Sequence, residues 1–317
     1  MTTDNHDKQH WAQQKERGSF FLMKFIAVLT RILGRTLITP VLYGVVLYFF
    51  VTGRVARNSI REYQNNLAQW SGRADLRASS MRIFQQFMAF SDSLLDKVDV
   101  WHGRIGLEHL DVDDPYGVRQ LAHQHLGRGQ LLVGAHLGNL EVCRALAQIG
   151  KKVQMNVLVH TRHAEAFNRL LNESGASHLR LIEVSHLDPV TMLQLSQRLE
   201  QGEWLAIAGD RVPLQEGRRS QANFLGQPAY FPQGPWLLAG ILKCPVSLLF
   251  CLKQQGRYRI SLEPFAESVQ WQRKNREQVL TETVQRYADR LAVRCLEAPL
   301  QWFNFYPFWI TDEQSSQ

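Results

Sequence analysis

Two side chains invite a chemical reading first: His136, and Glu141 five residues after it. The apolar run Leu131-Leu132-Val133 ends in Gly134-Ala135, meets His136, and passes through Gly138-Asn139-Leu140-Glu141 into a segment of helical periodicity. A histidine at the carboxyl end of a strand stands where open α/β sheets collect ligands. On one regular helix five residues turn the direction by about 500°, so the two side chains would point apart. They meet only if His136 precedes the helix and curls back over its first turn, which Gly134 and Gly138 make sterically easy. Glu141 would then fix one ring nitrogen and leave the other as a base, with the nucleophile supplied by substrate. Spacing alone equally allows a helix-capping histidine and a glutamate on the helix dipole.

The elements needed to position this pair are legible from periodicity. Strands are expected at 130–135, 152–159, 179–184, 204–208, 245–252 and 257–263, and a further one leading into Gly106-Leu107-Glu108-His109-Leu110. Helices are expected near 115–126, 138–149, 163–173, 188–201, 232–243 and 270–297. Such alternation predicts an α/β domain with a mostly parallel central sheet flanked by helices. The order along the chain is a loose N-terminus (1–18), an apolar anchor (19–53), the main domain (54–310) and a short tail (311–317). The anchor joins a basic amphipathic half, carrying Lys24, Arg31 and Arg35, to an uncharged half from Thr36 to Thr52. That pattern suits a membrane-embedded or interfacial helix, or a buried helical hairpin broken at Gly34 and Pro40. It is not a secretory signal, since no small-residue cleavage site follows.

The chain of 317 residues carries 36 Lys and Arg against 29 Asp and Glu, a net charge of +7, which suits anionic partners. Four scattered cysteines, with no C-x-x-C pair, read as reduced core thiols and put the domain on the cytoplasmic side. Phosphate-loop, dinucleotide, zinc and nucleic-acid signatures are missing, as is a G-x-S-x-G elbow. A second candidate cluster is Asp210-Arg211, at the end of the apolar strand WLAIAG. Arg211 would hold a phosphate or an oxyanion and Asp210 would position it, or the two form a loop salt bridge. Arg162 after strand 152–159 reads by itself as a solvated helix-start arginine, and Asn139 as a helix cap. The Phe231-Pro232-Gln233-Gly234-Pro235 segment is a turn into an apolar helix. The aromatic ending from Trp302 to Trp309 is core closure, the lip of a groove or an interfacial belt.

Taken in order, GAHLGNLE, Gly106–Leu110, His160-Thr161-Arg162, Gly209-Asp210-Arg211, Phe224–Ala229, Phe231–Pro235 and Pro299–Phe305 resemble the late acyltransferases of lipid A biosynthesis. These belong to the lysophospholipid acyltransferase superfamily, and their relatives in bacterial envelope-lipid clusters share the H-x-x-x-x-(D/E) signature. The resemblance implies acyl transfer from an acyl-carrier-protein or coenzyme A thioester to a hydroxyl of a lipid or glycolipid acceptor. It implies His136 as general base, Glu141 as its orienter, and Asn139, Arg162, Asp210, Arg211, Gly234 and Pro235 as substrate contacts. No metal or resident cofactor is implied; the phosphopantetheine or coenzyme A thioester is a co-substrate. The implied setting is the cytoplasmic side of the cell inner membrane, with acyl carrier protein as donor partner and no nucleic acid. The segment GDRVPLQEGRRS is more basic than the aspartate-rich stretch of close lipid A enzymes, which leaves the acceptor open. Open alternatives are glycyl transfer from a carrier protein to lipid A, acylation of a lysophospholipid or aryl-polyene-type lipid, and a non-catalytic lipid-binding protein.

Overall fold

The computed structural model describes residues 39–101, 103–118, 127–140, 142, 154–159, 179–184, 188–212 and 218–310. Helix α1 (Thr39–Thr52) meets α2 (Arg54–Ser71) at a bend of 89°. The bend falls at Gly53, whose N–H still bonds Phe49 O, and not at Pro40, which sits in the first turn of α1 where its ring is tolerated. A short 3-10 turn leads to α3 (Ser80–Trp101). Val46, Ile60, Ile83 and Phe87 join these three helices in a small apolar cluster of their own.

The strands are β1 (Leu110–Asp113), β2 (Leu131–Gly134), β3 (Met155–Val159), β4 (Leu179–Glu183), β5 (Trp204–Ala208), β6 (Arg219–Phe224), β7 (Gln227–Pro232), β8 (Val246–Gln254) and β9 (Arg257–Ala266). Interleaved with them are α4 (Pro189–Glu200), α5 (Gly234–Leu242) and, last, α6 (Arg276–Glu297). Seven strands form one sheet in the order β1-β9-β8-β2-β5-β3-β4, with β8–β9 its antiparallel pair and its other neighbours parallel. Its central strand β2 is buried on both faces. Leu131 and Val133 enter the larger core with α2, α4, α5 and α6, and Leu132 enters the opposite one with Met155, Trp204 and Tyr258. The mostly parallel α/β sheet expected from the alternation is present.

Two details differ from the sequence reading. The strand expected to end at Leu110 begins there instead, because Leu107–His109 forms a 3-10 turn. Strands β6 and β7 form a separate antiparallel hairpin, where periodicity had placed no strand. Leu225 and Gly226, at φ 54° and 81°, make its two-residue loop, the backbone required by a tight hairpin of right-handed twist. Most of the helices expected near 115–126 and 138–149, all of the one near 163–173, the segment 1–18 and the first half of the anchor lie outside the described residues. Cys244, Cys251 and Cys295 are buried, and burial pushes the Cys244 thiol up to about 11.

Candidate active site

Strands β2 and β5 run side by side in parallel, with Gly134 opposite Ala208. Two residues beyond that pair, each chain ends on a polar side chain: His136 after β2 and Asp210 after β5. Neighbouring strands lie about 4.8 Å apart, so equal offsets from a registered pair place the two side chains within bonding reach. The Gly209 N–H and the Tyr287 hydroxyl of α6 both donate to Gly134 O, at 2.9 and 2.7 Å, and hold the two strand ends together.

The resulting contact is direct. His136 Nδ1 lies 2.8 Å from Asp210 Oδ1, and the His136 backbone N–H donates to Oδ2 of the same carboxylate at 2.9 Å. Asp210 is 2% exposed, whereas the His136 side chain is 36% exposed. Burial alone would raise the Asp210 carboxyl; the opposing charge and hydrogen bond of His136, with the Arg211 guanidinium nearby, outweigh it and hold it below the usual carboxylate range. An ionised carboxylate only accepts hydrogen bonds, so Nδ1 carries a proton and donates. In its neutral form the ring then presents a bare Nε2.

The C-terminal segment closes over this pair. Leu137 bridges Trp302 in antiparallel fashion, Gly138 N–H donates to Gln301 O at 2.9 Å, and Phe303 N–H to His136 O at 2.8 Å. The Trp302 indole N–H reaches Asp210 Oδ2 at 3.1 Å. Further along, Trp309 bridges Ala229 of β7, tying this strap to the hairpin.

The other expected site residues fall into four groups. Arg211 stays with the pair: its Nη2 donates to Phe303 O at 3.0 Å and its guanidinium lies over the Tyr306 ring. Burial and the Asp210 charge push the Tyr306 phenol upward, so it remains protonated beside them. Asn139 serves the loop instead. It is 2% exposed, its side-chain amide donates to Ser93 O of α3 at 3.0 Å, and its backbone N–H donates to Cys251 O of β8 at 2.9 Å. Gly234 and Pro235 form the first turn of α5, and Gln233 before them bonds Ser220 of β6 and Glu277 of α6, so this turn is anchored to the hairpin and the last helix. Glu141 and Arg162 lie outside the described residues. Among the described residues no three His, Cys, Asp or Glu side chains come together as a metal-binding group.

The sequence reading paired Asp210 with Arg211 rather than with His136, and it left Trp302 without a contact. A cue was present: LLVGAH and LAIAGD share an offset of two small residues between strand and polar side chain. The cue needs the strand order, which places β5 beside β2.

A family model described as bacterial lipid A biosynthesis acyltransferase matches residues 78–311. The chain belongs to this family. It is therefore an acyltransferase of the lipid A biosynthesis type, and the matched span contains the sheet, the His136–Asp210 pair and the strap. No curated protein matches the chain significantly.

Proposed function

We propose that this acyltransferase moves an acyl group from a carrier-protein or coenzyme A thioester to a hydroxyl of a lipid acceptor, with His136 as general base. The observation that carries the reading is a half-exposed imidazole whose Nδ1 is engaged by a buried carboxylate and whose other nitrogen is left for chemistry. As the acceptor oxygen attacks the thioester carbonyl, Nε2 takes its proton. The tetrahedral oxyanion collapses, the C–S bond breaks, and the imidazolium returns the proton to the departing thiolate. The Asp210 carboxylate stabilises the imidazolium between these steps, and the fixed positive charge of Arg211 lies on the same side for the oxyanion or a lipid phosphate. Glu141 enters as a second carboxylate, and Arg162 as a head-group contact. A ring has two nitrogens, so with Nδ1 on Asp210 any Glu141 contact to the ring at Nε2 must open before a hydroxyl can be deprotonated.

Membrane attachment belongs to the same proposal. Val41, Tyr43, Leu47, Tyr48 and Val51 of α1 expose 47–63% of their surface, and Arg54, Arg57 and Arg61 follow at the start of α2. Among the described residues no single helix is long and apolar enough to cross a membrane; the bent α1–α2 pair passes by length and composition. An apolar face beside a basic one suits the cytoplasmic leaflet of an inner membrane, and the basic surface suits an acidic carrier protein.

The test is turnover by the purified chain and its His136→Ala and Glu141→Ala variants, with acyl-carrier-protein and coenzyme A donors and extracted envelope lipid as acceptor. Loss in both variants with unchanged folding is expected; turnover retained by both removes His136 and Glu141 from the mechanism. Mass spectrometry of envelope lipids with and without the protein identifies the acceptor, and an unchanged lipid A profile with a loss elsewhere would overturn a lipid A substrate.

A further inference from the structure

Trp302 spends its one polar group in an unusual place. A buried indole N–H needs an acceptor, and a backbone carbonyl satisfies it; Trp309, seven residues on in the same aromatic cluster, does this with Phe224 O at 2.9 Å. Trp302 instead donates to Oδ2 of a carboxylate that is itself 2% exposed. A bond to an ionised acceptor is roughly twice as strong as a neutral one.

Close packing holds the indole in this pose. Trp302 is fully buried, with the rings of Tyr63, Phe308 and Phe224 packed against it at 4.9, 4.9 and 5.3 Å. Its carbonyl accepts from Gln86 Nε2 of α3 at 2.8 Å, and Gln86 is held in turn by Gln64 of α2. Both oxygens of Asp210 are thus assigned: Oδ1 to the imidazole, Oδ2 to the indole and to the His136 backbone. Rotating the carboxylate would break all three contacts at once.

We propose that Trp302 is a positioning residue for the His136–Asp210 pair, its indole N–H locking the carboxylate that orients the imidazole. The C-terminal strap is then part of the catalytic apparatus as well as core closure. The proposal rests on the reading of His136 as the base. The strap holds the pair at three points: the indole on Asp210, the Phe303 N–H on His136 O, and the Gln301 carbonyl on Gly138 N–H. The titratable groups facing Asp210 from the surrounding elements are His136 after β2, Arg211 beside it, Tyr287 and Cys295 of α6, and Tyr306 of the strap.

The experiment compares Trp302→Phe with Trp309→Phe. Both remove one buried indole donor and keep an aromatic ring, but only the first touches Asp210. The full chain is labelled with nitrogen-15 at histidine and tryptophan, and His136 is assigned through His136→Gln. Trp302→Phe should move the His136 ring-nitrogen signals away from the single Nδ1-protonated form. It should also lower kcat for transfer from lauroyl coenzyme A about tenfold with KM unchanged. Trp309→Phe should do neither. In an Asp210→Ala background, which removes the acceptor, the further effect of Trp302→Phe should vanish. Unchanged His136 signals in Trp302→Phe, or equal changes in both variants, overturn the assignment. Should Trp302→Phe not fold, Asp210→Ala decides: it removes the acceptor and must displace the Trp302 indole resonance, and a resonance that stays in place overturns the contact. Absence of turnover by the wild-type chain counts against acyl transfer, and the nitrogen signals, which need no substrate, still decide the role of Trp302.

Discussion

Asp210 accepts N–H donors at both oxygens, from the His136 ring and backbone and from Trp302, and that determines what an asparagine would do there. An amide has one accepting oxygen and one donating nitrogen, so it cannot serve all three. If the amide oxygen stays on Trp302 and the His136 backbone, its NH2 faces Nδ1 and forces the proton onto Nε2, the atom needed as base. Asp210→Asn should therefore cost about 100- to 10,000-fold in kcat with KM little changed, measured in the same transfer assay. It should also flatten the acid limb of stability. The folded carboxyl lies below its unfolded value of about 3.9, so its contribution is fully present above that pH and is lost as pH falls through the folded value. Urea unfolding between pH 6 and pH 2.5 should show a steeper loss in the wild type than in the asparagine variant. His136 was legible from sequence as a polar side chain after an apolar strand. Its partner was not, because spacing along the chain pointed to Glu141, five residues away, while the contact is made across 74 residues through strand pairing.

At the scale of elements, the sequence pattern recovers the parallel strands because they are short, apolar and bounded by turn residues: β2, β3, β5 and β8 fall inside their expected ranges or within two residues of them. It does not recover β6–β7, where the buried Ser220, Ala222 and Phe224 alternate with the exposed Arg219, Gln221 and Asn223 and too few of the buried positions are strongly apolar to mark a strand. Nor does it recover strand order, which hydrophobic periodicity does not encode. The loop after β2 shows what the order costs locally. Gly138 sits at φ 72°, and a Cβ there would come within 1.9 Å of Cys251 O, the same carbonyl that receives the Asn139 N–H. Gly138→Ala adds a backbone overlap to left-handed strain and should destabilise by about 3 kcal/mol or more. Gly226 in the hairpin loop has φ 81° with nothing within 4 Å of its Cβ position, so Gly226→Ala should cost only about 1–2 kcal/mol of strain. Urea midpoints of the two variants measure the difference, and equal losses would remove the Cys251 contact as the cause. A related prediction concerns Lys253 of β8, whose ammonium lies 2.5 and 2.6 Å from Asp92 and Asp96 of α3. Asp96 is fully buried and also receives the Tyr258 hydroxyl. Lys253→Met takes the ammonium away from that buried carboxylate and should cost about 3 kcal/mol in urea unfolding.

For the molecule as a whole, two surface properties bear on a lipid surface: a net charge of +7 over the whole chain and an exposed apolar face on α1. They make separable contributions to binding a lipid surface. The apolar part depends little on salt; burying one side chain of leucine size contributes about 1.5–3 kcal/mol, or about 10- to 100-fold in partitioning. The basic part weakens as the screening length shrinks from about 10 Å at 0.1 M salt to about 3 Å at 1 M. Leu47→Glu lies on the exposed face, 52% accessible and away from the buried Val46, so the fold should persist while its apolar contribution is lost. Flotation with vesicles containing phosphatidylglycerol should show binding weakened at least tenfold by Leu47→Glu at every salt concentration. The wild type should lose affinity only gradually between 0.1 and 1 M. With a detergent-dispersed acceptor the variant should turn over as the wild type does, because His136, Asp210 and the strap lie on other elements. Vesicle binding by Leu47→Glu equal to the wild type would show that α1 does not meet the bilayer and would move the membrane contact elsewhere on the basic surface.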